Sequence, residues 1–388
     1  MSNSSLNGTS IGPVSCLIDN PSTETQVGKT LAYLLIMVLA LVGNLFVVLI
    51  VYKNKSMQTT VNYLIVNMAV SDMLQSFIAI PKRVMEIYAG SHRWLIHGVA
   101  GEFSCKSVAF LQDIGTAVSI QSLVVIAIDR FLGVMFPMRK ASLMSARAHF
   151  VIITITWLIP MAFHSPYFFT FRLVDQSNKT YCIYSWDVIS DGATHQLNYF
   201  LGGSIALFFL PLVMLIILYS VIIISLSRRK IPGNNSFRNR RRAAQRSRSV
   251  LRMVITVVVV FAICWLPLNV FGYLMMVKWG GVEEPPPCFL EDFGFWALFL
   301  AYSNAAINPF LYFLFSENYR KGFQAVFSGR SLTFYYSVNS KRRNLVDGAE
   351  TSGSDTRDGM SLKSIKSLSR SGGQSQNHCL RHVLPQKK

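Results

Sequence analysis

The amino-acid sequence predicts an all-α membrane protein: a seven-transmembrane helix bundle followed by a short amphipathic helix. Hydrophobic residues make up 51% of the 388 residues and charged residues only 14%, with a mean hydropathy of +0.37. Seven separate stretches each hold about 20 mostly apolar residues, the length that crosses a bilayer. None of them alternates as a barrel strand does, so helices, which satisfy their own backbone hydrogen bonds in lipid, are expected.

Five of the seven stretches contain no Asp, Glu, Lys or Arg. They are Leu31–Tyr52, Phe150–Thr170, Leu197–Leu226, Met253–Val277 and Phe293–Ser316. The other two contain one acid each: Asp72 lies in Val61–Pro81, and Asp113 lies in Ser107–Ile128. A carboxyl group at membrane depth indicates a functional site, although a protonated acid satisfied by neighbouring amides is the simpler alternative for Asp72.

The basic residues predict the orientation. Of the 37 Lys and Arg residues, 29 fall in the connections after spans 1, 3 and 5 and in the C-terminal tail. Cytoplasmic connections carry this excess, so we expect an extracellular N-terminus in a multi-pass plasma-membrane protein. Glycosylation sequons at Asn3, Asn7 and Asn178 fall on the expected outer side. The net charge of +18 therefore reflects topology and does not indicate nucleic-acid binding.

The expected organisation has four parts. Residues 1–29 form an extracellular N-terminus, 30–316 the bundle, 317–328 an amphipathic helix, and 329–388 a disordered cytoplasmic tail. In the amphipathic segment, Tyr319, Phe323 and Phe327 recur at intervals of four residues, which places them on one helix face. The tail is rich in Ser and Thr, so phosphorylation would add anionic clusters to a basic segment.

Motifs on all seven spans resemble one family. They are Gly43-Asn44, the NMAVSD stretch ending at Asp72, Asp129-Arg130-Phe131, Trp157, Pro211 with Tyr219, Phe261 with Cys264-Trp265-Leu266-Pro267, and Asn308-Pro309-x-x-Tyr312. Between Leu31 and Phe327 the chain looks like a rhodopsin-like (class A) G-protein-coupled receptor, closest in character to the neuropeptide receptors. The resemblance implies heterotrimeric G proteins, receptor kinases and arrestin as partners, alongside membrane lipids.

The resemblance also implies an activation switch. Asp129 would hold Arg130 in the inactive state at the cytoplasmic end of span 3, and span 6 would swing outward to release it. The other switch residues implied are Tyr219, Phe261, Trp265, Pro267, Asn308, Pro309 and Tyr312. A sodium site is implied at Asp72, Ser119, Asn304 and Asn308, which would make an allosteric sodium ion the one cofactor. Ala305 stands where many relatives have Ser.

Four of the six cysteines are predicted outside, where disulfides form. The family links Cys105 with Cys182. Cys16 and Cys288 remain, and we expect them to pair and tether the N-terminus over span 7.

The ligand is predicted less directly. Span 7 has no Lys for a retinal Schiff base, with Tyr302 at the matching position, and Gln112 replaces the span-3 Asp of amine receptors. Gln112 resembles the residue of several neuropeptide receptors and can donate to and accept from a peptide. The outer segments hold 11 acids against 8 bases, which favours a cationic peptide. The expected binding residues are Glu86, Gln112, Asp113, Thr116, Trp265, Asn269, Leu298 and Tyr302.

Two alternatives stay open from the sequence. A monoamine, a lipid or another small molecule could occupy the same fold, and Asp113 could pair with Lys82 or Arg83. A seven-span transporter is the alternative from another class, but the sequence lacks the internal repeat that transporters show. No nucleophile and base spacing or metal-ligand spacing indicates an enzyme.

Overall fold

The structure is a computed structural model that describes residues 22–136, 146–176, 178–186, 191–228, 237–278 and 289–327. The side chains at 146–147, 237–250, 278, 291 and 326–327 lie outside that description. The predicted Cys16–Cys288 bond, the sequons at Asn3 and Asn7, and the tail after Phe327 also lie outside the described residues.

Seven helices in the described part are long and apolar enough to cross a membrane, as the sequence predicts. They are α1 (Thr23–Lys53), α2 (Thr60–Ala89), α3 (Gly98–Met135), α4 (Ala146–His164), α5 (Gly192–Arg228), α6 (Phe237–Tyr273, continued by a π turn at Leu274–Lys278) and α7 (Phe289–Phe315). A further helix, α8 (Glu317–Phe327), follows α7 after one residue.

Helix α1 extends past its apolar stretch because polar residues stabilise its N-terminus. The side chain of Ser22 accepts a hydrogen bond from the Thr25 backbone N–H at 3.3 Å, and Glu24 lies in the first turn of α1. A hydroxyl at the N-cap and an acid in the first turn both stabilise the free N–H groups at a helix start. Helix α1 therefore begins at Thr23, well before Leu31.

Two spans depart from a regular helix. The fourth does not run unbroken to Thr170: α4 ends at His164, and a turn leads to a short helix, Tyr167–Thr170. In α5, a π turn covers Ile205–Phe209. It lies just before Pro211, which has no backbone N–H to donate to the preceding turn, so the helix widens there.

A β-hairpin joins the fourth and fifth spans. Strand β1 (Phe171–Gln176) pairs antiparallel with β2 (Lys179–Tyr184), and exposed Asn178 lies in the turn between them. Backbone hydrogen bonds of 2.9 and 2.8 Å link Trp94 to Thr180 and Cys182 to His92. The Cys105–Cys182 disulfide attaches β2 to the start of α3, so the pairing implied by the resemblance is present. We refer to this side of the bundle as the hairpin end and to the opposite side as the α8 end.

Helix α8 packs its aromatic face onto the bundle. Tyr319 is buried beside Tyr312, and Phe323 contacts Phe46 and Phe313. Gly322 allows this approach, because a Cβ there would lie 2.5 Å from a methyl carbon of Ile50. The amphipathic helix predicted after span 7 is therefore present.

Candidate functional site

Asp72 is the centre of a buried polar network among α2, α3 and α7. Its Oδ1 accepts a hydrogen bond from Ser119 Oγ at 2.8 Å, and its Oδ2 accepts one from Asn308 Nδ2 at 2.8 Å. Asn304 is also buried, and its Oδ1 has no partner among the described residues. The structure thus joins three of the four predicted sodium residues directly. Carboxylate, hydroxyl and amide oxygens are the hard ligands that a small cation requires.

Asn44 belongs to a separate contact. Its side chain donates to the carbonyl of Ala305 on α7 at 2.9 Å, which ties α1 to α7. Gly43 next to it lets the two helices approach, since a Cβ would lie 2.9 Å from the Cγ atom of Pro309. The structure therefore gives Asn44 contacts of its own, apart from the Asp72 network.

Trp157 also ties helices together. Its Nε1 donates to Asn67 Oδ1 at 2.8 Å, and Asn67 Nδ2 donates in turn to Ser122 Oγ at 2.9 Å. The indole N–H of Trp157 therefore anchors α4 to α2, which is itself anchored to α3. Because unpaired polar groups are costly in a low-dielectric interior, these bonds fix the register of the three helices.

Asp129 and Arg130 pair at the α8 end of α3. Arg130 Nη2 lies 2.9 Å from Asp129 Oδ2, and Asp129 is fully buried while the arginine side chain keeps 29% exposure. A pair that is half in contact with solvent can open at low cost when a partner supplies new contacts. The hydroxyl of Tyr219 is buried nearby and has no hydrogen-bond partner among the described residues.

The hydroxyl of Tyr312 makes only a weak contact within the described residues, so hydrogen bonding leaves this side chain able to move. Its hydroxyl contacts only the weak acceptor Met68 Sδ, at 4.0 Å, among the hydrogen bonds of the described residues. A small apolar cavity of about 10 Å³ borders Tyr312, lined in part by Leu123 and Val257. The tyrosine is therefore held by packing, without a strong hydrogen bond.

Two aromatic rings connect the middle of the bundle to α5. Phe261 and Trp265 on α6 stack with an interplanar angle of 27°, and Phe261 also meets Phe208 inside the π turn. Trp265 Nε1 is buried and has no partner among the described residues. Two residues further along α6, Pro267 interrupts the hydrogen-bond ladder. This arrangement brings together three of the predicted switch residues.

At the hairpin end, α2 presents two cations and one carboxylate. Arg83 Nη1 lies 2.5 Å from Glu86 Oε2, whereas Lys82 Nζ lies 4.0 Å from Glu86 Oε1. Arg83 Nε also donates to the Tyr302 hydroxyl at 3.5 Å, and Tyr302 contacts the ring of Tyr33. Glu86 and Tyr302, two of the predicted ligand residues, thus belong to one cluster between α2, α7 and α1.

Asp113 points to a different neighbour. Its Oδ2 accepts a hydrogen bond of 2.7 Å from the hydroxyl of Tyr167, in the short helix after α4. Within the described ranges, no ion pair joins Asp113 to Lys82 or Arg83, the pairing that the sequence left open. The carboxyl group is therefore engaged by the protein itself.

The remaining predicted ligand residues lie on α3, α6 and α7. Gln112 Oε1 is buried with no partner among the described residues, and Thr116 Oγ1 donates to the Gln112 carbonyl at 3.4 Å. Asn269 Nδ2 donates to the Trp265 carbonyl at 3.0 Å. Leu298 packs against the cluster formed by Tyr33 and Tyr302. Gln112 is the member of this group with an acceptor left open to a ligand.

Aromatic rings close the side of the hairpin end between α4, α5 and the hairpin. Tyr167, Tyr184, Trp186 and Tyr199 contact one another in sequence. Trp186 Nε1 donates to the Tyr184 hydroxyl at 2.6 Å. Burial raises the pKa of Tyr184 to about 12, so this hydroxyl stays neutral at physiological pH. The wall is rigid and mostly apolar.

The sequence named Lys82, Arg83 and Glu86, but the pairing of the two cations with Glu86 and the role of Tyr167 were missed. The spacing Lys82-Arg83-x-x-Glu86 could have indicated ion pairs one helical turn apart. Tyr167 could not be found that way, because it reaches Asp113 from another segment of the chain.

Buried polar networks on seven membrane-crossing helices, with an ion pair at one end and a disulfide-bonded hairpin at the other, define a transmembrane receptor bundle. A sequence profile described as "7 transmembrane receptor (rhodopsin family)" matches residues 43–312. The chain belongs to this family.

Similar proteins are found among receptors with named peptide ligands. The QRFP-like peptide receptor of Branchiostoma floridae is 30% identical over 76% of this chain and 76% of its own. The substance-K receptor of Homo sapiens is 30% identical over 79% of this chain and 74% of its own. The pyroglutamylated RF-amide peptide receptor of Rattus norvegicus is 30% identical over 77% of this chain and 70% of its own.

Proposed function

We propose that this receptor lies in the plasma membrane with its hairpin end outside, binds an extracellular neuropeptide there, and activates heterotrimeric G proteins at its α8 end. The distribution of Lys and Arg supports the orientation. The observation that carries the peptide assignment is the similarity, over about three quarters of the chain, to receptors whose names specify a peptide.

The geometry supports a ligand site at the hairpin end. Gln112 has an open amide oxygen in the interior, and Glu86 with its two cations lies on the neighbouring helix α2. A peptide backbone supplies both N–H donors and carbonyl acceptors, so it complements such groups. Trp265 lies deeper on α6, and its indole N–H has no partner among the described residues. A ligand bound at the hairpin end can therefore act on this ring.

The α8 end supports the G-protein step. The Asp129–Arg130 pair closes that end of α3, and among the described residues the tyrosines on α5 and α7 have no strong hydrogen bond to lose. Release of Arg130 would expose a basic, hydrogen-bonding surface to the G protein. The reaction that follows, nucleotide exchange, belongs to the G protein, and the receptor contributes only a change of conformation.

Further proposals concern regulation. A sodium ion at Asp72, Ser119, Asn304 and Asn308 would stabilise the inactive arrangement of α2, α3 and α7. We also propose phosphorylation of the Ser- and Thr-rich tail by receptor kinases, followed by arrestin binding, and contact of the basic connection before α6 with anionic lipid. Glycans at Asn3, Asn7 and Asn178 and a Cys16–Cys288 bond remain part of this proposal.

A peptide screen tests the ligand class. Cells that express the receptor are exposed to a library of neuropeptides, and intracellular calcium and cyclic AMP are recorded. We expect at least one peptide to activate the receptor and none to act on cells without it. Activation by monoamines or lipids alone would reject the peptide assignment.

The variant Gln112→Ala then tests the site. Losing one or two hydrogen bonds to the peptide should reduce agonist potency by about three- to tenfold at unchanged surface expression. Gln58→Ala, at an exposed glutamine of the α8 end, is the control. Unchanged potency in Gln112→Ala would remove this residue from the site.

A further inference from the structure

Lys82 is a largely shielded cation of the hairpin end whose ammonium has no close acceptor among the described residues. Arg83 is bound by Glu86 at 2.5 Å and by Tyr302 at 3.5 Å. The Lys82 ammonium lies 4.0 Å from Glu86, beyond hydrogen-bond distance. Its three N–H donors therefore have no hydrogen-bond acceptor in the described part of the chain, although its side chain is only 16% exposed.

The one other carboxylate in electrostatic range does not supply that acceptor. Asp113 attracts Lys82, but its Oδ2 accepts the 2.7 Å hydrogen bond from Tyr167 on the α4 side. Glu86 and Asp113 both have closer partners than Lys82. A half-buried ammonium in this position is poorly solvated and poorly paired, so a new anion would gain more from it than from a surface lysine.

We propose that Lys82 binds a carboxylate of the extracellular ligand, which for a peptide is either its C-terminal α-carboxylate or an Asp or Glu side chain. The inference rests on the proposed function and specifies the chemistry of its site. It also divides the ligand into two parts: the acidic outer segments attract basic residues of a peptide, while the part inserted beside α2 carries a negative charge.

The neighbours of Lys82 support the α-carboxylate. Gln75 lies two turns from Lys82 on the same face of α2, is 4% exposed, and has an Nε2 without a partner among the described residues. On α3, which faces Gln75 through Gly115, the Gln112 Oε1 acceptor is open. The carboxylate of a peptide C-terminus matches the Lys82 ammonium, and the neighbouring peptide N–H and carbonyl groups match the Gln112 acceptor and the deeper Gln75 donor.

Three small probes test the proposal without a known agonist. The purified full-length receptor is unfolded thermally with N-acetylphenylalanine, with N-acetylphenylalanine amide, or with N-acetylaspartic acid α-amide, at equal ionic strength. At about 10 mM, a probe that binds the folded state should raise Tm by about 2 °C. We expect N-acetylphenylalanine to do so and the neutral amide to have no effect. A shift with the aspartic acid derivative alone would identify a side-chain carboxylate as the source.

Charge variants identify the residue. Lys82→Gln should abolish the difference between the acid and the neutral amide, whereas Lys82→Arg should retain it. Lys106→Gln is the matched control, because Lys106 is an equally shielded lysine of the hairpin end that already pairs with Glu102 at 2.7 Å. If Lys82→Gln does not fold, the comparison of the acid with the neutral amide in the wild type and in Lys82→Arg still tests the proposal.

Equal shifts with the acid and the neutral amide, or a preference that persists in Lys82→Gln, would overturn the inference. Its failure is distinct from failure of the proposed function. A carboxylate preference without any peptide agonist rejects the peptide proposal and keeps the carboxylate site. A peptide agonist equally potent as free acid and as amide, with no probe preference, keeps the peptide proposal and rejects the carboxylate site.

Discussion

The hydroxyl of Tyr167 donates a 2.7 Å hydrogen bond to Asp113 Oδ2 and so connects the segment after α4 to the hairpin end of α3. Asp113 is one of two acids in the apolar stretches and follows the position where amine receptors have their counter-ion. Tyr167 is 9% exposed and packs against Tyr184 and Tyr199, which extends the connection to the hairpin and α5. Asp113 therefore helps to hold the wall of the site together through Tyr167, independently of any contact with the ligand.

Tyr167→Phe should lower stability, because it removes the donor and leaves the carboxylate with an unmet hydrogen bond. The expected loss is about 1–3 kcal/mol, read as a lower Tm of the purified receptor. Tyr52→Phe is the control, since Tyr52 is 76% exposed. A Tm equal to that of the wild type would show that the Tyr167–Asp113 bond contributes nothing to stability.

Asp72→Asn should remove the effect of sodium on agonist binding. In the wild type, replacing choline with sodium should weaken agonist affinity, because the ion stabilises the arrangement in which Asp72 joins Ser119 and Asn308. The amide keeps the size of the side chain and loses the charge that the ion requires. Radioligand competition in the two salts measures this, and sodium dependence that survives in Asp72→Asn would place the ion elsewhere.

Asp129→Asn should raise signalling in the absence of agonist. The variant loses the charge that holds Arg130 at 2.9 Å, so the open state becomes more populated. Ion pairs of this kind contribute up to about 1 kcal/mol, which corresponds to roughly a two- to fivefold rise in basal nucleotide exchange. Glu24→Gln, at the start of α1, is the control. Unchanged basal exchange at matched expression would contradict a restraining role for the pair.

Gly43→Ala and Gly28→Ala should have opposite effects although both lie on α1. A Cβ at Gly43 would lie 2.9 and 3.0 Å from ring carbons of Pro309, and the proline ring cannot move aside by a change of rotamer. We expect a loss of about 1–3 kcal/mol. At Gly28 nothing lies within 4 Å, so alanine should stabilise the helix by up to about 1 kcal/mol. Thermal unfolding compares them, and equal Tm values would argue against close packing of α1 on Pro309.

The seven spans and the helix after them could be predicted from sequence, because membrane thickness sets helix length and a charge in lipid is expensive. Asp72, Ser119 and Asn308 could be predicted as a group, since polar side chains at similar depth in a membrane form hydrogen bonds with one another. A kink near Pro166 could be predicted, because proline disfavours helical backbone at the residue before it, but the restart as a short separate helix, Tyr167–Thr170, could not. Asp113 could be recognised as an acid at membrane depth, but only the fold supplies Tyr167 as its partner.

The π turn in α5 has a consequence for any residue-by-residue mapping of that helix. Five residues, Ile205–Phe209, occupy a turn that would ordinarily take fewer, so residues before and after it are out of phase with a straight helical wheel. Deletion of one residue there would let the segment return to an α-helical turn and leave the two halves of α5 facing as they do now. Insertion of one more residue would instead rotate the outer half by roughly 100° against the half that carries Tyr219, and so change which side chains face the bundle without mutating any contact residue.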